Sequence, residues 1–140
     1  MRGSCFRDYN LALFSGGRRV FTSTGKGLRP LVECLDACRD LRDCMLHDKI
    51  MGLAAARLAA DSGIVREVVS RTASEPAVRF LEGRGIPLNV EETVPSILTV
   101  DGGAVCPGER IALAVEDPVR FGKEIRVMIA SGAAGRPAGQ

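Results

Sequence analysis

The chain has 140 residues, of which 46% are hydrophobic and 26% charged, with 19 Lys and Arg against 17 Asp and Glu for a net charge of +2. Those values suit one globular domain that can bury a core, and they exclude wholesale disorder or two full domains. Apolar runs are broken by Arg, Asp or Gly before the ~20 residues a membrane span needs, and the first residues lack the apolar stretch of a signal peptide. The expectation is therefore a cytoplasmic protein without membrane contact. Charges of both signs are spread along the chain, only 4% of residues are aromatic and there is no Trp. A base-stacking surface needs more aromatics and a basic stripe, which argues against nucleic acid as the main partner. Cys5, Cys34, Cys38, Cys44 and Cys106 make an odd count and read as reduced thiols.

In chain order, residues 9–14 and 19–24 alternate in period two around the turn residues Ser15, Gly16 and Gly17, which predicts an antiparallel hairpin. After the break at Gly25 and Gly27, the spacing of Leu28, Leu31, Val32, Leu35 and Cys38 predicts an amphipathic helix with Pro30 in its first turn. Short apolar strands at 44–47, 65–70 and 86–90 then alternate with helices at 52–60 and 76–81, the pattern of parallel strands joined by crossover helices. The helix at 52–60 is rich in alanine, so it can approach the sheet closely, and Gly63 suits its left-handed end. A further extended run is expected at 94–100, closed by a turn at 101–103, then helices from Pro107 to about 115 and from Pro118, capped by Asp117, to about 130. The whole is a mixed α/β domain over 9–130, with 1–8 and 131–140 expected to be poorly ordered.

In an open sheet of parallel strands, ligands bind where helix N-termini gather at the strands' carboxyl ends. Three junctions carry polar residues there: 47–52, 70–76 and 102–109. The candidate ligand-binding residues are Asp48, Lys49, Gly52, Ser74, Glu75, Cys106 and Glu109. Each has a plain structural role beside it. Asp48 and Ser74 are good helix caps, Lys49 suits a solvated surface as well as an anion, and Glu109 stands at the capping-box position three residues after Cys106. Cys106, directly before a helix-opening proline, would feel the positive helix end, which lowers a thiol pKa and makes it the candidate catalytic nucleophile. The single His47 is the group that would have to activate it through the fold. Cys34 and Cys38 sit four apart on one helix face, a spacing that fits a metal or a core stripe. Gly25, Lys26 and Gly27 resemble a phosphate loop but lack its spacing.

The runs 48–56, 74–77, 85–86, 106–109 and 111–118, in that order, resemble the domain-of-unknown-function family 1893, a family similar in fold to cytidine deaminases. The resemblance spans about 9–120 and implies a three-layer α/β/α sandwich with a mixed sheet. Working deaminases of that fold hold zinc with three side chains and move protons with a Glu. By the resemblance, Asp48 stands at the first ligand position and Ile50 at the proton shuttle, while 73–77 holds no cysteine. A hydrophobic Ile50 moves no proton, so hydrolytic deamination is not expected, and no cofactor is called for. The leading expectation is a metal-free domain that binds a small polar metabolite or nucleotide. A cysteine enzyme or sulfur-handling protein using Cys106, and a structural domain pairing into homodimers through the hairpin edge, are the alternatives.

Overall fold

The computed structural model describes residues 6–97 and 106–131. Eleven elements follow in chain order: β1 (Leu11–Ser15), β2 (Arg18–Ser23), α1 (Arg29–Ala37), β3 (Cys44–Asp48), β4 (Ile50–Met51), α2 (Leu53–Asp61), β5 (Val65–Ser74), α3 (Glu75–Gly83), β6 (Leu88–Val94), α4 (Pro107–Ala114) and α5 (Pro118–Ala130). The hairpin, the parallel strands and all five helices lie where the sequence pattern puts them. The expected extended run at 94–100 and turn at 101–103 fall largely outside the described residues, as do Cys5 and most of the two terminal segments.

β1 pairs antiparallel with both β2 and β3, while β3, β4 and β6 all run parallel to β5. Because Val68 of β5 is paired with both Leu46 and Leu88, and Thr72 with both Ile50 and Glu92, β3 and β4 share one edge of β5 and β6 takes the other. The sheet is thus open and mixed. Lys49 interrupts the path between β3 and β4, and its backbone is held on both sides. Its N–H donates to the Asn10 carbonyl at 2.9 Å and its carbonyl accepts from the Thr72 N–H at 3.0 Å.

Strand alternation decides what each face carries. Leu11, Leu13, Leu46 and Val68 point to one side and form the main core with Leu31, Cys34 and Leu35 of α1, Ala55, Ala56 and Ala59 of α2, and Ala77 and Leu81 of α3. Cys34 and Cys38 belong to this core stripe. A second cluster joins Val32 of α1 and Leu53 and Ala54 of α2 to Phe121, Ile125 and Met128 of α5 and Ala112 of α4. Helices flank the mixed sheet, as the expected α/β class requires, and α4 and α5 pack outside α2. The alanines of α2 explain the arrangement, since a helix with neighbours on both sides has no room for large side chains. On the other face of the sheet, Phe6 and Tyr9 pack with Ala12, Phe14 and His47. Phe6, assigned from sequence to a poorly ordered terminus, is therefore part of the packed domain.

Local signals account for the ends of the helices. Ser74 caps α3 by accepting from the Ala77 N–H at 3.2 Å, Asp117 caps α5 by accepting from the Arg120 N–H at 2.8 Å, and Gly63 after α2 has φ +73°. Arg57, on the buried side of α2, donates to the carbonyls of Ala112 at 2.8 Å, Val115 at 2.5 Å and Glu116 at 3.0 Å. These carbonyls lie at and just beyond the end of α4, where a helix leaves acceptors unfilled. Its guanidinium also lies 3.9 Å from the centre of the Phe121 ring, so one side chain ties α2 to both outer helices.

Candidate functional site

The carboxyl ends of the parallel strands open onto a cleft whose empty space, counted with its mouth, is about 690 Å³. Its floor is the start of β1 and the end of β3, and its walls are the loop before α1, the first turn of α2, Ile97 and the start of α4. Asn10, Leu11, Lys26, Asp48, Lys49, Ile50, Gly52, Cys106 and Glu109 all line it. Five of the residues proposed from sequence, Asp48, Lys49, Gly52, Cys106 and Glu109, come together here. Ser74 and Glu75 do not line the cleft: Ser74 is consumed as the α3 cap, and Glu75 is exposed beside Arg79, 3.9 Å away on the next turn. The first half of the third junction, 102–105, lies outside the described residues.

Glu109 does something the sequence pattern does not suggest. Only 4% exposed, it does not close a capping box on its own helix. Its Oε1 instead accepts from the Ala54 N–H at 2.8 Å, and the Leu53 N–H also points to it. Its carboxylate is thus the cap of α2, supplied by another helix 55 residues away and placed at the positive end of the α2 dipole. The cap position on α2's own strand of chain is Gly52, not Asp48. A side chain there would displace the Glu109 carboxylate, because a Cβ would fall 2.5 Å from Glu109 Oε1 and 2.8 Å from Cδ. Burial raises the Glu109 pKa and the two backbone N–H groups partly offset this.

Asp48 is thereby left without a helix to cap. It is the last residue of β3 and, like Leu46 two positions earlier, faces the helices. The Ile50 backbone N–H donates to its carboxyl, no lysine, arginine or histidine among the described residues pairs with it, and the apolar surroundings push its pKa from the ordinary 3.8 up to about 7. Part of its surface remains open to the cleft.

Cys106 stands at the N-cap of α4, as expected, and its N–H donates to the Ile97 carbonyl at 3.0 Å. The thiol is 5% exposed, and burial raises its pKa more than the N–H groups of Gly108 and Glu109 lower it. The helix-end effect anticipated from the sequence is present but outweighed, so the resting group at neutral pH is the thiol. His47 does not reach it. One residue before Asp48, it points through the sheet to the opposite face, where Nδ1 is 2.8 Å from the Tyr9 hydroxyl and burial lowers its pKa.

The donor set does not suit the zinc centre that the family resemblance implies. Glu109 is engaged with the α2 backbone, His47 lies across the sheet, and no group of three His, Cys, Asp or Glu residues converges among the described residues. A catalytic zinc takes three protein ligands, so these side chains do not fit it and no step is derived through a metal. Cys34, which burial raises to about 12, and Cys38 and Cys44 are buried too, in the core rather than at the cleft. No helix among the described residues is long and apolar enough to cross a membrane.

A family profile described as domain of unknown function (DUF1893) matches residues 6–128. Among solved structures, the chain is similar to a DUF1893 family protein (TM1506) from Thermotoga maritima, with 29% identity and a TM-score of 0.76 over 89% of this chain and 82% of that one. No curated protein matches.

Proposed function

The chain belongs to the DUF1893 family, and from that premise we propose that it is a metal-free domain of cytidine deaminase-like fold that binds a small polar metabolite or nucleotide in the cleft. The observation that carries this reading is the convergence of Asp48, Lys49, Gly52, Cys106 and Glu109 on one opening at the strands' carboxyl edge, the place where open α/β sheets take small ligands. The walls are largely apolar and the polar groups few, which is how such a site orients a ligand without a metal. The donor set, with Glu109 spent on α2 and Ile50 carrying no proton, favours binding over hydrolysis.

A thermal-shift panel of nucleobases, nucleosides and nucleotides tests this. A ligand present at about a hundred times its Kd stabilises by about 2.7 kcal/mol, which for a domain of this size raises Tm by several degrees. Absence of any shift across the panel refutes the reading.

A further inference from the structure

Taking the cleft as a ligand site, and resting on that reading, we propose that Asp48 is its polar anchor and selects ligands that present paired N–H donors, as an amidine, a guanidine or the amino-bearing edge of a heterocycle does. The argument starts from what the carboxyl lacks. A carboxylate offers about four acceptor positions, and a carboxyl removed from water is stable only when those positions are served. Glu109, across the cleft, has its needs met by the first N–H groups of α2. Asp48 has the Ile50 N–H and no ion pair among the described residues, although it faces a cleft it shares with two lysines. Lys26 is exposed on the loop before α1 and Lys49 follows the strand end, so neither ammonium supplies the missing partner at the floor.

Around Asp48 stand Leu11, Ile50, Ala54 and Ala55, apolar walls against which a flat group can lie. A planar N–C–N edge matches the two carboxyl oxygens in geometry and supplies two donors at once. The titratable groups that line this floor are Lys49 beside it, Lys26 from the loop, and Cys106 and Glu109 from the start of α4, while Cys34 of α1 lies in the core near enough to feel the Asp48 charge. Burial pushes the thiols of Cys34 and Cys106 up, away from neutrality, and brings Asp48 to about 7; the Glu109 carboxyl is raised too, so the Asp48→Asn comparison assigns the pH effect.

The probe is benzamidine, with benzamide and benzoate as its neutral and anionic counterparts, titrated into the full chain and followed by amide NMR at Ile50, Gly52 and Ala54. Benzamidine should bind at pH 8, about tenfold more weakly at pH 6 as the carboxyl takes its proton, and at least tenfold more weakly to Asp48→Asn. The pH comparison in the unaltered protein stands whether or not the variant folds. If benzamide or benzoate moves these amides while benzamidine does not, the cleft survives as a binding site and Asp48 as its donor-selecting anchor is overturned. The same holds if benzamidine binds equally at both pH values. If none of the three probes moves them and the nucleotide panel also gives no shift, the anchor and the site fall together.

Discussion

Replacing Asp48 by Asn should make the protein relatively more stable as the pH rises. An acid whose pKa is higher in the folded state than in the unfolded one holds its proton more tightly when folded. Its contribution is therefore most favourable below about pH 4 and is lost as the pH climbs through 7. With Asp48 moved from 3.8 to about 7, the full cost of ionising it in place is about 4 kcal/mol, at 1.36 kcal/mol per pKa unit. Between pH 5 and pH 7 the cost grows by about 2 kcal/mol, whereas an asparagine has no proton to lose and can still accept from the Ile50 N–H. Urea denaturation of both proteins at pH 5, 6 and 7 isolates this contribution, because every other titrating group, His47 included, is common to the pair and cancels. The variant should gain about 2 kcal/mol on the parent across that range. A gap that stays constant to within about 0.5 kcal/mol would show that the carboxyl is not desolvated in the way its position at the end of β3 requires, and the inferred need for a ligand partner would lose its basis.

Other substitutions test the framework around the cleft. Glu109→Ala strips two N–H groups at the start of α2 of their acceptor and should cost about 1–3 kcal/mol in chemical denaturation, with Glu109→Gln recovering part of that by keeping an oxygen in place. Gly52→Ala should cost as much as Glu109→Ala and add little on top of it, since the new methyl acts by displacing the same carboxylate; a full second penalty in the double variant would refute the coupling. Arg57→Leu leaves three carbonyls around the end of α4 without their donor and should destabilise by about 2–4 kcal/mol, while Arg57→Lys, lacking the planar fork, should rescue only part of it. Cys106 should be alkylated by iodoacetamide with a pH midpoint above that of an ordinary thiol, and a midpoint near neutrality would restore it as a nucleophile.

Periodicity and punctuation are local properties, and they placed the elements. The alternation on either side of Gly16 and Gly17, the apolar spacing of α1, and the caps at Ser74 and Asp117 each act within a turn or two of chain, so the hairpin, the helices and their order follow from the sequence read in short windows. The candidate cleft was legible to the same degree, because a parallel sheet must bring the strand ends and helix starts to one edge. What no window could contain is the partner of each polar group. Glu109 matches a capping box and yet caps a helix 55 residues away, which removes that role from Asp48 and turns an apparent helix cap into a carboxyl that faces a cleft with no ion pair among the described residues. Arg57 reads as an ordinary helix arginine until α4 ends against it. His47 and Asp48 are neighbours in sequence, and the two-residue alternation of β3 sends one through the sheet toward Tyr9 and the other into the cleft. Burial then reversed the expected direction for Cys106. A residue's type and spacing fix what it can bond to, whereas desolvation and pairing depend on which distant segment arrives beside it, and only the packed chain decides that.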